Sequence, residues 1–111
     1  MFMVQGDDLP VVVWTNRGCG ACVQAKRLLD SKQVVYKERR LKNTSQVQRA
    51  FARATGGART VPQIIVDGKN IGGFDDLANL ERSGELDVLL GRAQPSEKQG
   101  LWVRLKNVFT R

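Results

Sequence analysis

The stretch VVVWTNRGCGAC, Val11–Cys22, contains both cysteines of a 111-residue chain that has no histidine. Its first five residues, Val11–Thr15, form an unbroken β-branched and aromatic run, the pattern of a buried strand. From Ala21, the residues Ala21, Ala25, Leu28 and Leu29 recur at i, i+4, i+7 and i+8. That is the period of an amphipathic helix running to about Ser31. Cys19 therefore falls at a strand-to-helix junction and Cys22 one turn into the helix. Residues three apart on a helix share a face, with about 5 Å between Cα atoms, a separation that a disulfide accepts.

Three chemistries use the C-x-x-C spacing. A zinc site needs two further Cys or His ligands, which this chain lacks. A structural disulfide across two residues closes too short a loop to constrain much. Redox chemistry fits the surroundings. The unpaired N–H groups and positive dipole end of the helix favour an anion at Cys19, lowering its pKa from the free-thiol value of about 8.5. Cys19 then attacks as a thiolate, and Cys22 resolves the mixed disulfide. A C-x-x-C beside a βαβ pattern carries this reading more specifically than the spacing alone.

Outward from the motif, VVYKE (Val34–Glu38) reads as a second strand, parallel to the first through a right-handed crossover. NTSQVQRAFARATGG supplies a second helix. Thr44 or Ser45 caps it, Val47, Ala50, Phe51 and Ala54 form its apolar face, and Gly56-Gly57 stop it. QIIV (Gln63–Val66), Asp67-Gly68 and Lys69–Gly73 make a hairpin. A third helix begins at Asp75 or Asp76 with Leu77 and Leu80 inward, and ELDVLL after Gly84 closes the domain with a short helix. The order β-α-β-α-β-β-α implies an α/β fold: a four-stranded mixed sheet with helices on both faces.

The net charge of +7 is unevenly spread. Residues 1–91 hold 13 Lys/Arg against 10 Asp/Glu, whereas residues 92–111 hold 5 against 1. More than half of the excess thus sits in 92–111, where RAQPSEKQG reads as a linker ahead of a basic tail, leaving residues 1–91 as the domain. LWVRLKNVFTR reads as an amphipathic helical extension with Leu101, Trp102, Leu105, Val108 and Phe109 on one face. Packing on protein is favoured over a membrane surface for so short a helix. Nucleic acid is not expected as a partner, since five basic residues and two aromatics in a short tail make no recognition motif. The N-terminus has two acids and no basic n-region, which argues against a signal peptide and for the cytoplasm.

Over residues 10–91 the chain resembles the glutaredoxins of the thioredoxin superfamily, through WTNRGCGACVQAKRLLDSK, RTVPQIIVDG and IGGFDDLANLERSGELDVLLG. The resemblance implies a thioredoxin-like fold and a glutathione-dependent thiol–disulfide oxidoreductase. Its substrates would be protein disulfides and protein–glutathione mixed disulfides. It also implies a cis Val61-Pro62 bond opposite Cys19, with the Val61 backbone pairing with the cysteine of glutathione. Arg49 matches a position that binds the glycine carboxylate, and Gly73-Phe74-Asp75-Asp76 match the γ-glutamyl cradle. A helix start suits a carboxylate and an aspartate suits an ammonium.

Several residues depart from the family pattern. Gly20-Ala21 replace the usual Pro-Tyr between the cysteines. Asn16 stands where lysine is frequent, leaving Arg17 either to supply that charge to glutathione or to point into water. Phe74 replaces a small residue, and KERRLK replaces a commonly acidic segment. No resident cofactor is required for the reductase reading, with glutathione as co-substrate and a monomeric protein. The alternative is a dimer holding a 2Fe–2S cluster, ligated by each Cys19 and each bound glutathione, which the absence of proline after Cys19 favours.

Overall fold

The computed structural model describes residues 9–93. Eight elements follow one another along them: β1 (Val11–Thr15), α1 (Gly20–Ser31), β2 (Lys37–Arg40), α2 (Ser45–Thr55), β3 (Gln63–Val66), β4 (Lys69–Gly72), α3 (Phe74–Ser83) and α4 (Glu85–Leu89). The strands form one sheet in the order β2-β1-β3-β4. β1 runs parallel to β2, while the β1–β3 and β3–β4 pairs are antiparallel. This is the mixed four-stranded sheet expected from the sequence.

Alternation along the central strands builds two cores, because successive strand side chains point to opposite faces. Val11, Val13, Ile64 and Val66 meet Ala25 and Leu29 of α1, Leu77 and Leu80 of α3, and Leu86 of α4. Trp14 and Ile65 face the other way, against Phe51 of α2. The Trp14 and Phe51 rings meet edge to face, 5.3 Å apart. Both sheet faces are thus covered, and among the described residues β2 and β4 are the edges.

The second strand begins three residues later than expected and ends two residues later. After α1 the chain turns at Gln33, which has φ 58°, and the Val34 N–H donates to the Leu29 carbonyl. Val34 is buried in the core beside the helix it has just left, and Tyr36 packs against the same cluster. Pairing with β1 starts only at Lys37, opposite Val12. The strand itself is KERR with all four residues exposed. Charge on an edge strand discourages pairing with other chains, and it also hides the strand from a hydrophobic pattern.

Helix α3 begins at Phe74, one residue before the expected start, with Gly73 as its N-cap. At the far end, the Arg92 guanidinium donates to the Lys32 and Gln33 carbonyls. Lys32 itself bridges Glu81 of α3 and Asp87 of α4 at 2.8 and 2.7 Å. This ties the end of α1 to the last two helices. The amphipathic extension expected over 101–111 lies outside the described residues.

Candidate active site

Cys19 is the N-cap of α1, with extended dihedrals (φ −96°, ψ 104°), and its Sγ accepts the Cys22 N–H at 3.0 Å. The sulfur therefore stands where Ser, Thr or Asp usually caps a helix. Cys19 and Cys22 are joined as a disulfide with Cα atoms 5.2 Å apart. Cys22 is buried, with 2% of its surface exposed, whereas Cys19 is half-buried and reachable. The asymmetry suits an attacking sulfur at the surface and a resolving one behind it.

Val61-Pro62 is a cis peptide bond, as the family resemblance implied. Cys19 Sγ lies 3.7 Å from the Val61 carbonyl oxygen. In the oxidised state the sulfur has no proton to donate, so this is a contact; the reduced thiol has a carbonyl acceptor beside it. Sheet pairing positions this loop, since Gln63 at the start of β3 pairs with Trp14 near the end of β1.

Two grooves flank Cys19. One, of about 470 Å³, runs between Ala21 and Gln24 of α1, the Thr60–Gln63 segment, and Gly72–Asp76. It gathers Val61, Pro62, Gly73, Phe74, Asp75 and Asp76, residues singled out from two separate parts of the sequence. The two aspartates differ in their engagements. Asp76 Oδ2 accepts the Gly73 N–H at 3.0 Å, closing the turn into α3. The exposed Asp75 carboxylate makes no hydrogen bond or ion pair among the described residues.

The other groove, of about 370 Å³, lies across the motif from the first. Arg17, Val23, Lys26 and Arg40 line it together with Cys19 and Glu38. Arg17 is thus placed in this groove and not with Val61 and Asp75. Arg49 lines neither groove; it is exposed on α2. Helical spacing explains the split: Ala21 and Gln24 face one groove, and Val23 and Lys26 the other, each pair three residues apart.

A polar network that sequence reasoning missed underlies this second groove. The buried Thr15 hydroxyl donates to Glu38 Oε2 at 2.7 Å, and Lys26 Nζ lies 3.2 Å from the same oxygen. Arg40 reaches that carboxylate more loosely, at 4.0 Å. The Thr15 hydrogen bond holds the Glu38 carboxyl below its usual pKa; burial opposes this, and the Lys26 hydrogen bond and the Lys26 and Arg40 charges reinforce it. One sequence signal was present: a threonine ending an apolar buried strand needs a partner.

A cysteine pair at a strand–helix junction, facing a cis-proline loop on a four-stranded mixed sheet, defines a thiol–disulfide oxidoreductase of thioredoxin-like fold. The glutaredoxin family model matches residues 11–71. Glutaredoxin 1 of Rickettsia typhi is 45% identical over 94 residues, covering 84% of this chain and 89% of the relative. Among solved structures, glutaredoxin from Brucella melitensis aligns with a TM-score of 0.66 at 33% identity, over 82% of this chain and 98% of that one. The buckwheat glutaredoxin–glutathione complex aligns at 0.64 and 35%, over 74% and 76% of the two chains. The chain belongs to the glutaredoxin family, and its activity is glutathione-dependent thiol–disulfide oxidoreduction.

Proposed function

We propose that the protein reduces protein disulfides and protein–glutathione mixed disulfides, with Cys19 as the attacking thiolate and glutathione seated in the groove along Val61. The observation carrying this is the position of Cys19 Sγ, which caps α1 and lies 3.7 Å from the Val61 carbonyl. A helix N-terminus stabilises the thiolate in the resting state and as a leaving group.

In the mixed-disulfide reaction the Cys19 thiolate attacks the glutathione sulfur, and the protein thiolate leaves and takes up a proton. A second glutathione thiolate attacks the same sulfur. Glutathione disulfide departs and Cys19 is again a thiolate. During the first step the glutathione backbone pairs with that of Val61. Its γ-glutamyl carboxylate meets the N–H groups at the start of α3, and Asp75 takes the ammonium. Asp76 is already committed to Gly73, so its part is to hold the turn. Arg49, exposed and without a partner among the described residues, is available to the glycine carboxylate. In the buckwheat relative, glutathione is bound to a glutaredoxin of the same fold, which supports placing it here.

Asp75→Lys tests this reading. It should raise the KM for glutathione at least tenfold with a smaller change in kcat, because it alters binding remote from the reacting sulfur. An unchanged KM would remove glutathione from this groove.

The 2Fe–2S alternative rests on the absence of proline after Cys19; among the described residues nothing lies within 4 Å of a Cβ placed at Gly20. Cys19 would be this chain's ligand, with the other ligands drawn from glutathione and a second copy. A cytoplasmic setting is part of the proposal, since a reducing glutathione pool returns the enzyme to its dithiol form.

A further inference from the structure

We propose that the groove lined by Arg17, Val23, Lys26 and Arg40 seats the flanking segment of an acidic protein substrate. That substrate is a disulfide-bearing polypeptide with Asp or Glu close to its reactive cysteine. The proposal rests on the thiol–disulfide reading above and adds the class of protein on which it acts.

The groove that Cys19 lines and the one across the motif, which begins at Val61 beside its sulfur, carry opposite charge. The one assigned to glutathione ends on Asp75 and Asp76, and the other sets three cations against the single carboxylate of Glu38. Those cations are not equally occupied. Lys26 is held by Glu38 at 3.2 Å, and Arg40 stands 4.0 Å from it with 48% of its side chain exposed. The Arg17 side chain has no partner among the described residues. An incoming carboxylate therefore gains Arg17 outright and shares Arg40 without displacing the Lys26–Glu38 pair. Val23, 43% exposed, gives the same groove an apolar wall beside the sulfur.

Length supplies the second argument. Glutathione is a tripeptide, and one groove accommodates it. An extended polypeptide advances about 3.3 Å per residue, so a protein joined to Cys19 continues beyond that groove. Of the three cations of KERR, strand alternation directs Arg40 alone toward this groove. Glu38 and Arg40 point toward α1, while Arg39 lies over Trp14 at 4.4 Å on the other face. Charge of one sign along an approach path raises the local concentration of a complementary partner.

The reaction balances with groups already assigned. The Cys19 thiolate attacks one target sulfur, and the other target sulfur leaves as a thiolate and is protonated. Cys22 loses its proton to solvent and attacks Cys19, forming the enzyme disulfide and releasing the second target thiolate. Two glutathione molecules reduce the enzyme disulfide and become glutathione disulfide, so two electrons pass from glutathione to the target.

The experiment uses the full chain and three peptides, each cyclised by one disulfide and differing only in flanking Glu, Ser or Lys. Wild type should reduce them with kcat/KM in the order Glu, Ser, Lys at low salt, and high salt should compress the series. Arg40→Glu should cut kcat/KM for the Glu peptide on the order of tenfold and raise that for the Lys peptide. Arg40→Gln should move both the same way by less. Reduction of bis(2-hydroxyethyl) disulfide, small and uncharged, and the KM for glutathione should stay at wild-type values in both variants. A wild type without charge preference at low salt overturns the proposal. So does an Arg40→Glu variant that raises the glutathione KM and slows all substrates equally, which would make the groove a second glutathione site. Wild type inactive on the small disulfide would instead refute the thiol–disulfide reading, and this proposal with it.

Discussion

Gly72→Ala should damage the groove proposed for glutathione without touching a reacting atom. Gly72 ends β4 where the pairing with β3 shifts register, Ile65 facing Asn70 and Ile64 facing Gly72. Its φ is +107°, and its N–H donates to Asn70 Oδ1. A Cβ there would run into the Asp76 side chain, 2.8 Å from Cγ and closer still to Oδ2. That oxygen is the one accepting the Gly73 N–H. Two costs add. An L-residue at positive φ loses about 1–2 kcal/mol. Swinging Asp76 aside removes a helix cap worth about 0.5–2 kcal/mol. The sum is about 1.5–4 kcal/mol, which at about 4–8 °C per kcal/mol lowers Tm by roughly 6–30 °C. Thermal unfolding followed by circular dichroism gives this shift, and the KM for glutathione should rise in the same protein. The double variant Gly72→Ala/Asp76→Ala isolates the collision. With the carboxylate gone, it should cost less than the sum of the single changes by roughly 0.5 kcal/mol or more. Gly72→Ala with a Tm within a degree or two of wild type would refute the argument, as would strict additivity.

Cys19→Ser should abolish reduction of glutathionylated substrates, while Cys22→Ser keeps much of it, because glutathione can replace the buried Cys22 as resolver; equal loss in both would exclude the monothiol route. Arg49→Glu should raise the glutathione KM with less effect on kcat, and an unchanged KM would leave Arg49 as a solvated charge on α2. Gly20→Pro should retain reductase activity. The position is the first of α1, the preceding Cys19 is already extended, and among the described residues nothing lies near the new Cβ. Loss of the fold would show that reading of the helix start to be wrong. For Glu38, a folded pKa below the ordinary 4.5 means that its stabilisation is fully present above that value and is lost as pH falls through the folded pKa. Glu38→Gln should therefore lower Tm at neutral pH, and the difference from wild type should vanish in acid. A difference independent of pH would contradict the Thr15–Lys26–Glu38 account.

What the sequence disclosed and what it withheld divide along a physical line. Contiguous patterns were readable. VVVWT and QIIV are apolar on both faces and became the two central strands, and Thr44 and Gly56 bracket α2 as its caps. The cysteine pair was readable for the same reason, since the strand before it and the helix after it carry local signals. The second strand was legible as a parallel partner of β1 but was placed at Val34–Glu38, ahead of KERR, because an edge strand buries nothing and its residues follow no apolar alternation. The consequence of that displacement falls on the second groove. Thr15, Lys26 and Glu38 lie far apart in sequence and meet only because Trp14 pairs with Arg39 and Thr15 with Arg40. A slip of one residue would send Glu38 and Arg40 to the Trp14 face and bring Lys37 and Arg39 toward α1. The charge beside Cys19 would then have no carboxylate to hold it. The polarity of the two grooves is consequently a property of strand register, which composition cannot supply. The same holds for the choice between Asp75 and Asp76: adjacent and identical in sequence, they are distinguished only by which carboxylate reaches back to the Gly73 N–H.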